Sequence, residues 1–186
     1  MVGIVPRRDP IDHATLMAVA LDLVDDAGFE ALTLSNVAAM LHVGPSALYT
    51  HVDGLAGLHH ATAVESTRRL AAVVRDAAVG RAGDEAIRSV AREYRAYARR
   101  HPGRFTAVVR VAGDEAMADA HAELDGVFVL LSEARGLSGV RAGRAARNAR
   151  RAIHGFVAVE HATGAADHAD RDFRDLIDTL CRMLDT

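Results

Sequence analysis

Hydroxyl-bearing and small side chains are concentrated in one short stretch of the chain, between residues 33 and 51. Hydroxyl groups can donate hydrogen bonds to phosphate oxygens, and small residues let a backbone approach closely or contact a thymine methyl group. Such a stretch is typical of a surface that binds DNA. The candidate DNA-binding residues are Thr33, Ser35, Gly44, Pro45, Ser46, Ala47, Tyr49, Thr50 and His51.

Ten histidines and one cysteine are the other side chains that could do chemistry. His154, His161 and His168 are spaced seven apart, which is about two helical turns and too far for two ligands to hold one metal ion unaided. No cysteine and no Glu-x-x-His arrangement completes such a site. We therefore assign no metal ligands and expect no cofactor. A histidine-based metal sensor remains an alternative, which metal analysis of the purified protein would test.

An all-helical enzyme is a second alternative. Cys181 has no evident neighbours that would activate it as a nucleophile, and the missing Glu-x-x-His pairs argue against a di-iron bundle. We therefore assign no catalytic residues.

The elements that must position these side chains are helical. Apolar residues recur three and four positions apart along most of the chain, period-2 alternation is scarce, and glycine, proline and aspartate separate the segments. The pattern predicts an all-α protein of about nine helices. An N-terminal three-helix helix-turn-helix domain over 1–53 is followed by a connecting fourth helix over 54–80. A C-terminal helical bundle over 81–186 completes the prediction.

Glycine and proline set the predicted helix ends. The first helix starts with Asp9 as its N-cap and Pro10 as its first residue, and ends at Gly28. Two short helices, through Leu41 and from Pro45 through Val52, form the helix-turn-helix. The five helices of the C-terminal bundle are predicted at 84–101, 102–112, 114–135, 138–164 and 168–184.

The charge distribution is unusual for a DNA-binding surface. The chain has no lysine and a formal net charge of -3, which excludes the overall basicity of a non-specific nucleic-acid coat protein. Residues 1–53 contain two arginines against seven acidic residues, a formal charge of -5. Arg7 and Arg8 could form an arm that reaches DNA, so deletion of residues 1–8 should weaken DNA binding and its salt dependence.

The sequence also predicts the cellular compartment of the protein. The single cysteine cannot form an internal disulfide, the first ten residues lack the apolar region of a secretory signal, and no apolar run is long enough to span a membrane. We expect a cytoplasmic protein with no membrane partner.

A resemblance to a known family rests on the segment AVALDLVDDAGFEALTLSNVAAMLHVGPSALYTHVDGLAGL. This segment is similar to the N-terminal signature of TetR-family transcriptional regulators, in which an LT pair, a short VAxxLxV stretch, a turn and ALYxHV follow one another. The resemblance implies a homodimer whose two recognition helices read a palindromic operator. It also implies a small-molecule effector that binds the C-terminal body and releases a repressor from DNA, and it makes Thr33 and Tyr49 phosphate contacts.

This chain departs from the family pattern after the His51-Val52 pair. Family members commonly have a basic residue there, whereas Asp53-Gly54-Leu55 occupies the position in this sequence. We therefore expect the backbone N–H groups at the N-terminus of the connecting helix to bind the phosphate there.

Two C-terminal stretches, AREYRAYARRHPGRFTAVVR and ARRAIHGFVAVEHATG, resemble a subclass that carries a Trp-His-Gly element, with Ile153 in the place of tryptophan. Apolar and aromatic residues with a few polar groups are candidates to line an effector pocket. These candidates are Tyr94, Tyr97, Phe105, Val109, Met117, His121, Leu124, Phe128 and Phe156.

The resemblance places the homodimer interface within helices of 138–184. A series of alanines on the first of these helices permits close packing, and four apolar residues of the last helix are the expected anchors. The alanines are Ala142, Ala145, Ala149 and Ala152, and the anchors are Leu176, Ile177, Leu180 and Met183. The neighbouring arginines, which include Arg147 and Arg150, are interpreted as a solvated face.

Overall fold

The computed structural model describes residues 11–111, 115–165 and 167–184. Regular structure in these ranges is entirely helical and contains eight α-helices and two 3₁₀ helices. The α-helices are α1 His13–Ala27, α2 Leu34–Met40, α3 Gly54–Ala78, α4 Gly83–Arg100, α5 Pro102–Arg110, α6 Glu115–Glu133, α7 Gly139–Thr163 and α8 Ala169–Met183. The 3₁₀ helices are Phe29–Ala31 and Pro45–Thr50. The predicted all-α fold is confirmed.

The first helix begins later than the sequence predicts. Asp12 is its N-cap, and the Asp12 carboxylate accepts a hydrogen bond from the Thr15 backbone N–H at 2.7 Å. The prediction that Asp9 caps this helix is therefore wrong, and residues 1–10, with Arg7 and Arg8, lie outside the described residues. The predicted end at Gly28 is confirmed, since φ there is 82°, a left-handed value that glycine adopts without strain.

The helix-turn-helix is formed by α2 and the 3₁₀ helix Pro45–Thr50, which we call the recognition segment. Thr33 caps α2 by accepting the Asn36 N–H at 3.1 Å. Pro45 starts the recognition segment, where its missing N–H costs no helical bond. Leu48 within the segment and Val52 after it are buried, and they fix the segment against α2.

Two apolar cores lie along the 25-residue helix α3. The smaller core packs α1, α2 and the recognition segment against Leu58 and Val64, in the first half of α3. The larger core packs α4, α6, α7 and α8 against Leu70 and Val74, in the second half. Helix α3 therefore belongs to both units. No helix in the described part of the chain is long and apolar enough to cross a membrane.

Candidate DNA-binding and effector sites

The recognition segment presents polar side chains to solvent. Tyr49 is 62% exposed, and Ser46 and Thr50 are also exposed, whereas Leu48 between them is fully buried. The Thr50 hydroxyl donates to the Ala47 carbonyl oxygen at 3.0 Å and keeps its lone pairs for an incoming donor. The apolar side of the segment thus fixes its orientation, and the hydroxyl side is open to a groove of DNA.

The other candidate DNA-binding residues surround this segment. Thr33 is half-buried, and because its oxygen accepts the cap bond, its hydroxyl proton remains available to a phosphate. Ser35, Gly44 and Pro45 are exposed, whereas Ala47 and His51 are half-buried. The predicted set lies on and beside α2 and the recognition segment, and its contact with DNA stays a prediction.

The acidic residues of the helix-turn-helix unit are partly neutralised by α5. The Arg104 guanidinium lies 2.7 Å from a carboxylate oxygen of Asp25, and His101 Nδ1 lies 2.8 Å from the same oxygen. At the other end of α5, Arg110 pairs with Glu30. Acids that would repel DNA therefore connect the DNA-binding unit to the body instead.

The first turn of α5 also contacts the last turn of α1 through the backbone. A Cβ atom on Gly103 would lie 1.8 Å from the Val24 carbonyl oxygen, a distance that no side chain tolerates. Glycine is required here because it lets two helices meet without an intervening methyl group. Helix α5 is consequently packed directly on the DNA-binding unit.

The larger core contains a polar pair beside α5. The Tyr94 hydroxyl and His154 Nδ1 are 2.8 Å apart, and the His154 ring centroid lies 5.7 Å from that of Phe105. Burial lowers the pKa of His154, and the nearby Arg150 charge lowers it further. Burial also raises the pKa of Tyr94. Both groups are therefore neutral at pH 7, and each can donate and accept a hydrogen bond.

Two histidines of α7 contact the side of α5 that faces the larger core. The Phe105 ring lies 5.3 Å from the ring of His161, and the Thr106 hydroxyl lies 2.8 Å from His161 Nε2. His154 and His161 are seven residues apart, so both lie on the face of α7 that meets α5. With this spacing, both histidine rings lie against Phe105.

Comparisons with known proteins agree with this architecture. A family model described as the tetracyclin repressor-like C-terminal domain matches residues 87–184. An HTH-type transcriptional regulator of Mycobacterium tuberculosis, Rv0681, is 34% identical over 179 residues, which cover 93% of this chain and 81% of the relative. The chain belongs to the TetR family of transcriptional regulators.

Solved structures share the fold of this TetR-family regulator at lower identity. BioQ with its natural double-stranded DNA operator is 22% identical with a TM-score of 0.66, and the match covers 92% of this chain and 99% of BioQ. TetR-Q116A from Acinetobacter baumannii AYE in complex with minocycline is 20% identical with a TM-score of 0.71, and the match covers 93% and 96% of the two chains. At these identities the likeness shows the fold alone.

The predicted effector residues of the regulator fall into several places. Tyr94, Phe105, Leu124 and Phe128 are buried in the larger core. His121 is half-buried, and burial and the Arg150 charge lower its pKa. His154 and the ion pair of Arg150 with Asp125 lie beside these candidates and were not among the residues predicted from the sequence.

Of the remaining four candidates, Tyr97 belongs to the same core and contacts α3, whereas Met117, Val109 and Phe156 lie outside its buried set. Tyr97 donates from its hydroxyl to the Ser66 carbonyl oxygen of α3 at 3.1 Å, and burial raises its pKa to about 12. Met117 is buried in the smaller core, and Val109 is 46% exposed. Phe156 lines a groove between α7 and α8.

The expected dimer face of the regulator differs in detail from the sequence prediction. Ile177 and Leu180 are buried in the protomer's own core, as are Ala142 and Ala149, so these residues cannot anchor a partner. The exposed apolar residues of α7 and α8 are Val140, Val159 and Met183, at 80%, 64% and 42% exposure. The groove beside Val159 has a volume of about 460 Å³. Arg150 is also not on a solvated face, because it is half-buried against Asp125.

A buried ion pair joins three helices of the C-terminal body. The Arg95 guanidinium donates to both carboxylate oxygens of Glu160, at 2.8 and 2.6 Å, and lies 4.6 Å from the Phe173 ring centroid. The hydrogen bonds from Arg95 lower the pKa of Glu160 to about 2. Within the described ranges, no group of three histidine, cysteine or acidic side chains could hold a metal ion.

Proposed function

We propose that this regulator is a ligand-responsive repressor, which binds a palindromic operator as a homodimer and is released by a small molecule in its C-terminal body. The observation that supports this proposal most directly is the position of α5. Its first turn contacts Val24 and Asp25 of the DNA-binding unit, and its Phe105 lies against the buried polar pair of the larger core.

The DNA side of the proposal rests on the recognition segment. Tyr49 is an exposed hydroxyl donor, and the exposed Thr50 hydroxyl keeps its lone pairs for a donor on a base, on a segment whose apolar side is buried. A helix-turn-helix places such a segment in the major groove, and hydroxyl groups beside it bind phosphates. The relative BioQ, which has the same fold, binds double-stranded operator DNA.

The effector site is proposed around Tyr94, His154 and Phe105, with His121, Leu124 and Phe128 next to them. These side chains combine apolar surface with neutral groups that both donate and accept hydrogen bonds, as small-molecule sites do. A small, largely apolar compound with one or two polar groups fits this chemistry. To bind, it would displace the Tyr94–His154 hydrogen bond and shift the Phe105 ring.

A shift of Phe105 would be transmitted to the DNA-binding unit. Gly103 lies two residues before Phe105 in the same helix and has no free space against Val24. A displacement of α5 must therefore move α1 or break the Asp25–Arg104 contact. The effector can weaken operator binding only by as much free energy as it gains from binding the displaced arrangement of α5 more tightly than the original one.

The homodimer interface is proposed at α7 and α8, where Val159, Phe156 and Leu176 line the 460 Å³ groove. A second copy that covers this face would bury exposed valine side chains. A two-fold dimer would give two recognition segments related by symmetry, which is the arrangement that reads a palindrome.

The test has two arms with matched variants. In the first arm, the protein is titrated into duplexes selected from a random library and into the DNA that flanks the gene. In the second arm, compounds are screened for release of the bound duplex. Tyr49→Phe should weaken operator binding about fivefold, the loss of one hydrogen bond, and keep compound binding. Tyr94→Phe combined with His154→Asn should keep operator binding and lose the response to the compound.

Two results would contradict the proposal. Failure to select any duplex would remove the DNA-binding function from this chain. If the Tyr94 and His154 variant released DNA at the wild-type compound concentration, the effector site would lie elsewhere.

A further inference from the structure

A second groove lies between α4 and α8, and it shares no lining residue with the groove of the proposed dimer face. Its volume is about 450 Å³, which is within the range of small-molecule sites. Among the described residues, Asp170 is the one acid in its lining. The basic residues that line it are Arg88, Arg92, Arg95 and Arg174. The lining of this groove therefore has a surplus of positive charge.

Each wall of the groove contributes an exposed arginine that has no carboxylate partner on the opposite wall. On α4, Arg92 pairs with Glu85 of its own helix at 3.3 Å, and both side chains are more than half exposed. On α8, the Arg174 Nε donates to the Asp170 backbone carbonyl oxygen at 3.1 Å, and Arg174 has no ion pair with a described residue. Exposed pairs and contacts of this kind are weak, so both guanidinium groups can turn to an anion in the groove.

Arg95 is the buried cation of the groove, and its guanidinium group is fixed by its neighbours. Two of its nitrogens donate to Glu160, and its guanidinium carbon lies 5.6 and 4.6 Å from the ring centroids of Phe156 and Phe173. Its remaining nitrogen lies 2.9 Å from a carboxylate oxygen of Asp170, whose side chain is 74% exposed. The Asp170 contact shows that a carboxylate fits this nitrogen, which is preorganised for the bond.

The floor of the groove is apolar. Phe173 and Ile177 of α8 are buried in the larger core, and their outer surfaces line the groove. Toward the C-terminal end of α8, Arg88 pairs with Asp178 and joins the two helices. An apolar chain that extends from Arg95 toward this ion pair would cover the ring and the isoleucine side chain.

We propose that this groove binds an organic anion that has a carboxylate on an apolar body. The carboxylate takes the place of Asp170 at Arg95, and its charge is also neutralised by Arg92 and Arg174. The apolar body lies on the floor of the groove. This site shares no residue with the proposed effector site around Tyr94, and it does not rest on operator binding.

Isothermal titration calorimetry of the full chain with octanoate, at pH 7.5 and low ionic strength, tests this site. One octanoate should bind per protomer, and added salt should weaken the binding because it screens the ion pairs. Acetate has the same headgroup without the chain, and octylammonium has the same chain with the opposite charge. Each of these two compounds should bind at least about tenfold more weakly, because each lacks one of the two sources of affinity.

Substitutions in and beside the groove should change the affinity in opposite directions. Arg92→Gln and Arg174→Gln should each weaken octanoate binding about fivefold, since each removes a charge-assisted hydrogen bond. Asp170→Asn should strengthen it about threefold, because the competing carboxylate at Arg95 loses its charge. Arg171→Gln is the matched control, since Arg171 is an exposed arginine of α8 outside the groove lining, and it should keep the wild-type affinity. Circular dichroism and melting temperature establish that each variant is folded.

A double variant separates this groove from the proposed effector site. The protein with Tyr94→Phe and His154→Asn should bind octanoate as tightly as the wild type does. Loss of octanoate binding in this variant would place the anion in the larger core and overturn the inference. The inference is also wrong if octanoate does not bind, if octylammonium binds as tightly, or if the Arg92 and Arg174 variants bind octanoate as the Arg171 control does.

Discussion

Gly103 of α5 lies so close to Val24 of α1 that a Cβ atom would be 1.8 Å from the Val24 carbonyl oxygen. Gly103→Ala should therefore force the two helices apart. Overpacked contacts of this kind cost about 1 to 3 kcal/mol, and we expect that loss in the free energy of unfolding by urea denaturation.

Gly126→Ala is the matched control, because a Cβ atom at this helical glycine meets nothing within 4 Å. Alanine is the better helix former, so this variant should gain up to about 1 kcal/mol. A Gly103→Ala protein as stable as the Gly126→Ala protein would contradict the close contact between α5 and α1.

Asp25 and Asp26 are adjacent acids with different surroundings. Asp25 is mostly buried beside Arg104 and His101, whereas Asp26 is exposed. Asp25→Asn leaves the mostly buried Arg104 charge with only the exposed Asp22 carboxylate, 3.8 Å away, so we expect a loss of about 3 kcal/mol of unfolding free energy. Asp26→Asn should change it by less than about 0.5 kcal/mol, and equal losses in the two variants would show that the Arg104 contact is unimportant.

Stability should fall in mild acid because of His121 and His154. Burial lowers the pKa of both side chains in the folded protein from the ordinary value of 6.5. The unfolded chain therefore binds more protons, and unfolding free energy is lost as pH falls below 6.5. Urea titrations at pH 7.5 and 5.5 should show this loss, and His154→Gln should reduce it. Glu160 does not contribute in this window, because its stabilisation is lost only as pH falls from its ordinary pKa of 4.5 towards about 2.

The proposed dimer face can be tested with two exposed valines. Val159 is 64% exposed beside the groove of α7 and α8, and Val79 is 69% exposed at the end of α3. Val159→Asp would bury a charge in the interface, so the dimer dissociation constant should rise at least about tenfold. Val79→Asp should sediment as the wild-type dimer does. A Val159→Asp protein that remains a dimer at the wild-type concentration would place the interface elsewhere.

Local chemistry explains which parts of the fold could be predicted from sequence. Gly28 ends α1 because its left-handed conformation is intrinsic to glycine, and Pro102 starts α5 because proline favours a first helical turn. The recognition segment also follows from the burial pattern of Leu48 and Val52. Each of these features depends on a few consecutive residues.

Contacts between distant segments could not be predicted in this way. Asp25 and His101 are 76 residues apart, and both types are ordinarily exposed. Ile177 and Leu180 lie on an amphipathic face, but periodicity cannot tell burial in the chain's own core from burial against a second copy. The spacing of His154 and His161 can be read from the sequence, but their shared contact with the Phe105 ring cannot.

The smaller core has a consequence for attempts to exchange DNA-binding domains between regulators. It contains Ala107 of α5 and Met117 and Ala120 of α6, packed with residues of α1 and α2. A chimera that joins a foreign helix-turn-helix to this body must therefore match those three side chains and supply an acid for Arg104. Grafting at the start of α3 would disrupt a shared interior, so new operator specificity is better introduced by substitutions on the recognition segment alone.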